Sequence, residues 1–182
     1  MTFDTFTGYF NQTSSAGDLP YAMALYAQAW HETGNFTSNI YLNHKNLFGM
    51  KPSQNREQYY DDVYASPNGE TFASYPDVIR SLFDRIDLDD YNRTVKPRTN
   101  DDIERYYQVI QSKGYASDPL YVSKLMDILH RLGTGELQFV VGQPSEEEEN
   151  EFNTTTRATW KDYLPFILIA IVIYYLYKRF KR

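Results

Sequence analysis

Glu32 is the residue best placed for proton chemistry. It stands in the last turn of a helix predicted to start at Asp18-Leu19-Pro20 and to stop near Gly34. A carboxylate there faces the negative pole of the helix dipole and adds nothing to helix stability. The same setting, with apolar neighbours, raises its pKa and keeps the carboxyl protonated. A carboxyl held in that form can serve as a general acid. Other chemistries are poorly supplied. There is no cysteine, which excludes thiolate catalysis, zinc knuckles and disulfides. His31, His44 and His130 are too scattered for a three-histidine metal site. His31 lies about 100° round the helix from Glu32 and is expected to pack or hydrogen-bond. The acidic group Asp84, Asp87, Asp89 and Asp90 lacks the spacing of a calcium loop and reads as a solvated helix end. No metal or cofactor is expected.

The elements that must position Glu32 are mostly helical. Met23, Tyr26, Ala27 and Trp30 recur at helical spacing and are expected to face the core. Residues 51–75 change character, with two β-rich stretches flanking Asn68-Gly69, the signature of an irregular hairpin. Helical periodicity resumes after Pro76 with Val78, Ile79, Leu82, Phe83 and Ile86. Thr99 or Asn100 should cap a further helix through Ile103, Tyr106, Tyr107 and Ile110, ending at Gly114. Asp118-Pro119 should start the next, which carries Tyr121, Leu125, Ile128 and Leu132 to Gly133. The fold expected is mainly α with a small β-hairpin lobe, the seam between the two forming a groove.

Charge divides the chain. Residues 1–142 hold 12 Lys and Arg against 18 Asp and Glu, so the entire net charge of −6 lies there. The pI is about 5.0. Such a surface argues against a general nucleic-acid binder. Residues 143–159, with Glu146 to Glu149 and Glu151, read as an acidic linker. Leu164 to Tyr177 carry no charge, and with Trp160 they reach the about 17–20 residues that a bilayer span needs. Trp160 and Tyr163 stand at one edge, with Tyr174, Tyr175, Tyr177 and the Lys178–Arg182 basic cluster at the other. That is the interfacial pattern of a transmembrane helix, so residues 160–182 are expected to anchor the protein in a lipid bilayer. Met1 to Asp18 lacks the basic start and apolar core of a secretory leader.

Three segments carry a family resemblance. They are Ala27-Gln28-Ala29-Trp30-His31-Glu32-Thr33-Gly34, Asn46-Leu47-Phe48-Gly49-Met50-Lys51 and Gly114-Tyr115-Ala116-Ser117-Asp118-Pro119-Leu120-Tyr121. In this order and spacing the chain resembles the glucosaminidase domain of glycoside hydrolase family 73, found in bacterial autolysins, flagellar-rod muralytic domains and phage lysins. Thr33, Met50 and Ser117 stand where the family usually has Ser, Ile and Thr. The resemblance spans about residues 18–132. It implies a lysozyme-like α+β fold acting on peptidoglycan, cutting the β-1,4 bond between N-acetylglucosamine and N-acetylmuramic acid. It also implies Glu32 as general acid, in agreement with the reading of that residue on its own terms.

The resemblance further assigns Tyr115 to the groove, hydrogen-bonding substrate or orienting the attacking group. Asn46 is expected to line the groove while Leu47 and Phe48 pack. Tyr60, Tyr64 and Tyr75, like Tyr59, fall in segments that would frame a saccharide groove, where flat rings stack on sugars. Asp118 is a substrate-side candidate better explained as a helix cap. Many family members carry a second Glu before the β turn. Aligning on Asn68-Gly69 puts Ala65 or Ser66 there, and neither can act as a base. Asp62 is the first replacement to consider, then Asp61, Glu57 and Glu70. Failing these, the acetamido group of the substrate could assist. A single-Glu site also resembles that of lytic transglycosylases, and a non-catalytic glycan-binding or assembly role on the same scaffold is the remaining alternative. The whole reads as a muralytic domain (1–142) on a membrane tether, in a bacterial envelope or the membrane of a phage virion.

Overall fold

Helix α2 (Leu19–Glu32) is the axis of the structure, a computed structural model that describes residues 1–133. Pro20 presets its first turn. Eight of its fourteen residues are buried, among them Ala22, Ala24, Ala27 and Ala29. A helix this apolar on most sides must be covered all round, and its small side chains let neighbours come close. Helices α1 (Phe3–Phe10), α5 (Asp102–Ser112) and α6 (Tyr121–Gly133) pack on it. Tyr26 and Ala27 are buried as expected, whereas Met23 and Trp30 are only partly covered. Asp18 occupies the N-cap position without making a side-chain cap; its carboxylate instead faces Arg98 at 3.2 Å.

The amino-terminal segment, to which the sequence assigned no element, is helical. Residues 3–10 form α1, capped by Thr2, with Phe6, Tyr9 and Phe10 buried. Edge-on ring contacts tie this helix to α2: Phe3 and Phe6 lie 5.2 and 5.4 Å from Tyr26, and Phe10 lies 5.8 Å from Tyr21.

The hairpin is present. Strands β1 (Asp62–Ala65) and β2 (Thr71–Ser74) pair antiparallel, with Asp62 opposite Ser74 and Ala65 opposite Thr71. β2 is also joined to the loop before it: the Ala73 amide donates to the Met50 carbonyl and, one residue past the strand, the Tyr75 amide donates to the His44 carbonyl. After the short helix α3 (Asn39–Leu42), the chain therefore wraps the hairpin against the Asn46–Met50 turn. Helix α4 (Val78–Tyr91) follows, capped by Asp77.

The next two helix starts differ in detail from the sequence reading. Neither Thr99 nor Asn100 caps α5; Asp102 accepts from the amides of Arg98 and Thr99 and from the Thr99 hydroxyl. Asp118 opens α6 by accepting the Leu120 amide at 2.9 Å. The architecture is mainly α with one small antiparallel hairpin. Among the described residues no helix is long and apolar enough to cross a membrane. The linker 143–159 and the span 160–182 lie outside them.

Candidate active site

Glu32 is fixed by the way its helix ends. The Gly34 amide donates to the His31 carbonyl and the Asn35 amide to the Trp30 carbonyl. This closure requires a left-handed residue after the cap, and Gly34 adopts it at φ 56°. Thr33, fully buried, donates from its hydroxyl to the Ala29 carbonyl and accepts from the Phe36 amide. The Glu32 side chain enters a cavity of about 390 Å³ whose wall includes Phe48, Gly49, Lys51, Arg56, Tyr91 and Tyr115. Gly49 has φ 62° and leaves its face toward Glu32 open; a Cβ there would stand 3.5 Å from Glu32 Oε2. Three helices deliver their carboxyl ends to this wall: α2 through Glu32, α4 through Leu88 and Tyr91, and α5 through Gly114 and Tyr115.

Burial pushes the Glu32 carboxyl up to about 7, against opposing pulls from its hydrogen bond with Tyr121 and from the charge of Arg85. Near neutral pH the group therefore both holds and releases a proton. The Tyr121 hydroxyl donates to Glu32 Oε1 at 3.1 Å. It accepts in turn from Gln28 Nε2 at 2.8 Å, and Gln28 Oε1 accepts from Arg85 Nε at 3.0 Å. Arg85 is fully buried, pairs with Asp89 at 2.7 Å and donates to the Tyr106 hydroxyl at 2.7 Å. Tyr21 and Tyr106 both donate to Asp89. A continuous polar chain thus runs from the carboxyl through the core, in which Arg85 Nη1 makes no hydrogen bond and is matched by the Asp89 charge alone. A buried charge held this way needs such satisfaction. The acidic residues on α4 are accordingly not a solvated helix end: Asp84 and Asp89 are buried, and only Asp90 is fully exposed.

Tyr121, Gln28 and Arg85 escape a reading by periodicity. Each lies on the buried face of its helix among apolar residues, and a lone polar group in such a stripe looks like core. The available signal was the spacing of Arg85 and Asp89, one helical turn apart, which allows a buried pair.

The other expected residues sort clearly. Tyr115 lines the cavity, donates to the Phe48 carbonyl at 2.7 Å and lies under the Arg85 guanidinium at 4.9 Å. Asn46 does not line the groove. It is fully buried, donates to the Met50 and Ala73 carbonyls and accepts from the Phe48 and Met50 amides. No capacity is left for a sugar, so its part is to shape the turn that carries Gly49. Tyr75 is likewise buried, its hydroxyl on Asp84. Asp84 also receives Arg56 and Gln58, which pins the 51–58 loop of the cavity wall to α4. Tyr64 stacks on His44 at 4.1 Å, Tyr60 packs partly on the core, and Tyr59 donates to Asp87. Asp118 is held by Lys124 at 2.6 Å. His31 packs edge-on against Tyr121, and burial, then the Lys124 charge, keeps its pKa below the usual value.

Among the residues lining the cavity, Glu32 is the one carboxylate. Asp62 sits exposed at the start of β1 and accepts its neighbour's amide. Asp61 and Glu57 are also exposed, and Glu70 is paired with Lys51 at 2.8 Å. None of the four is among the residues lining the cavity. Among the described residues no cluster of metal-ligating side chains occurs.

Comparison with known proteins bears on the fold and the family. The glycoside hydrolase domain of Salmonella typhimurium FlgJ shares the fold, at a TM-score of 0.51 and 20% identity over 75% of this chain and 91% of that one. The catalytic domain of the autolysin Auto from Listeria monocytogenes is 24% identical over 75% of this chain and 88% of its own, with a TM-score of 0.47. A peptidoglycan hydrolase from Sphingomonas sp. A1 is 24% identical over 68% and 86%, with a TM-score of 0.49. No curated protein sequence matches. The glucosaminidase family model, described as mannosyl-glycoprotein endo-β-N-acetylglucosaminidase, matches residues 8–134. That stretch runs from within α1 to the end of α6 and includes every residue of the Glu32 cavity, so the chain belongs to the glucosaminidase family and is a glycoside hydrolase.

Proposed function

We propose that the chain cleaves the β-1,4 bond between N-acetylglucosamine and N-acetylmuramic acid in peptidoglycan, with Glu32 as general acid. The observation that carries this reading is a partly buried carboxyl, raised to about 7, in a cavity that has room for sugar. Glu32 gives its proton to the glycosidic oxygen as the bond from that oxygen to the anomeric carbon breaks. Positive charge then grows on the sugar ring. The negative poles of α2, α4 and α5 favour that charge and disfavour early ionisation of Glu32. With no second carboxylate in the cavity wall, the substrate's acetamido oxygen is the nearest nucleophile for the anomeric carbon. Water then opens the resulting ring, giving its proton to the Glu32 carboxylate. The substrate assignment rests on the three motif segments shared with the autolysin-type family.

The same single carboxylate supports a second reading. Glu32 would then protonate the oxygen that links the muramic acid's anomeric carbon to the next N-acetylglucosamine; as that bond breaks, the muramic acid's own C6 hydroxyl attacks the same carbon, returns its proton to Glu32 and leaves an anhydro end. The chain would act from a membrane, in a bacterial envelope or a virion, held by residues 160–182 through the acidic linker; the aromatic and basic edges of that segment support this placement. Digestion of purified peptidoglycan by the full chain, with mass spectrometry of the fragments, tests the reading. Reducing N-acetylglucosamine ends are expected. Anhydro-muramic ends would replace hydrolysis by transglycosylation, and binding without release would leave a glycan-binding protein.

A further inference from the structure

Tyr91 stands apart from the other exposed apolar side chains. Leu19, Leu42, Val95 and Leu120 are more than half exposed and lie away from the Glu32 cavity; Tyr91 is 58% exposed and forms part of its wall. Scattered exposed apolar residues need no explanation, but an aromatic ring at the mouth of a catalytic cavity does. The five tyrosines that sequence places around a groove leave that position unfilled. Tyr75 is buried, Tyr59 and Tyr64 are engaged by Asp87 and His44, Tyr60 is half-covered, and Tyr115 is held under Arg85 with its hydroxyl on a carbonyl.

The backbone holds Tyr91 in place at a cost. It is the last residue of α4, and the helix closes behind it through two bonds. The Arg93 amide donates to the Asp90 carbonyl and the Thr94 amide to the Asp89 carbonyl. This closure needs a left-handed residue, and here it is Arg93 at φ 50° rather than a glycine. The last turn is thereby fixed two residues after the ring. Asp89, two residues before it, is locked by Arg85, Tyr21 and Tyr106. The ring is thus carried on a rigid support, and among the described residues its hydroxyl makes no hydrogen bond.

We propose that Tyr91 is a saccharide-stacking residue: it receives the C–H face of a β-linked N-acetylhexosamine next to the bond that Glu32 protonates. A β-linked hexosamine presents one face of axial C–H bonds, which matches a flat ring and resists an aliphatic stump. This assignment rests on the reading of the cavity as the glycan site.

The test uses the full chain carrying Glu32→Gln, which prevents turnover, and calorimetric binding of the tetrasaccharide of alternating N-acetylglucosamine and N-acetylmuramic acid. Adding Tyr91→Leu or Tyr91→Ala should weaken binding about tenfold. Adding Tyr91→Trp or Tyr91→Phe should hold it within about twofold of the parent, because both keep a ring and the phenylalanine drops only the hydroxyl. In the active chain, Tyr91→Leu should raise KM with kcat little changed, and circular dichroism should be unaltered. Equal binding by the leucine and tyrosine forms would overturn the proposal while leaving the glycan site intact. No binding by the Glu32→Gln parent would overturn both.

Discussion

At the scale of single residues the proposed chemistry turns on how Glu32 is kept protonated. Its substitution by glutamine should lower turnover by about 10²- to 10⁴-fold, the contribution of a general acid, and leave the circular dichroism spectrum unchanged. If Glu32 is the proposed general acid, its acid form is the working one, and kcat/KM should be flat below about pH 7 and fall about tenfold per unit above it. Stability carries the mirror image. The folded carboxyl titrates near 7 and the unfolded one near 4.5, so between those values the folded state holds more proton. Stability then falls as pH rises through that window, by on the order of 3 kcal/mol once the group is fully ionised. Glu32→Gln should therefore raise the melting temperature at pH 8 and leave it nearly unchanged at pH 4, a comparison open to calorimetry. Tyr121→Phe removes a bond that favours the carboxylate and should move the fall in activity to higher pH. A pH–rate profile identical to wild type would deny Tyr121 any hold on the acid. The raised pKa of Glu32 was legible from sequence because a carboxylate at a helix carboxyl end has no structural reason to be there. Tyr121 and Arg85 were not, because a long side chain whose polar tip reaches a partner is patterned like any core residue until the partner is in view.

At the scale of elements, the site is a meeting of helix ends. The ends of α2, α4 and α5 all close through paired amide bonds to the carbonyls three and five residues back, and all three reach one cavity. Glycine serves this closure after α2, but α4 uses Arg93. Arg93→Gly should therefore stabilise the fold by about 1 kcal/mol, measurable as a higher denaturation midpoint, with activity unchanged. A loss of stability would mean that the arginine side chain contributes more than its backbone costs. Gly49 is the opposite case. Gly49→Ala adds both left-handed strain and a methyl group 3.5 Å from Glu32 Oε2, and should lower activity more than the about 1 kcal/mol of strain lowers stability. The hairpin was readable from Asn68-Gly69, and the stops of α2 and α5 from their glycines. The end of α4 carries no such signal, which is why Tyr91 did not register as a site residue. Helix α1 was missed because eight residues with a glycine among them show little periodicity; the rings of Phe3, Phe6 and Phe10 hold it on α2.

At the scale of the whole molecule, charge and hydropathy are separated along the chain. Residues 1–142 carry the full −6, while the uncharged run from Leu164 to Tyr177 is followed by Lys178, Arg179, Lys181 and Arg182. An acidic domain is repelled by anionic headgroups, so the domain alone has no electrostatic reason to stay on a membrane. Two kinds of attachment remain for the tail. A basic cluster acting only on headgroups is screened in about 1 M salt, where the Debye length is about 3 Å. Burial of an apolar run in hydrocarbon is not weakened by salt. The proposed anchor predicts that the full chain floats with phosphatidylglycerol-containing vesicles in low salt and still floats at about 1 M. A chain ending at residue 159 should remain in the aqueous phase under both conditions. It should also cleave the soluble tetrasaccharide at the rate of the full chain, since every residue of the Glu32 cavity lies before residue 116. Release of the full chain from vesicles by salt would reduce residues 160–182 to a peripheral contact, and the activity would then belong to a protein only steered to the membrane rather than held there.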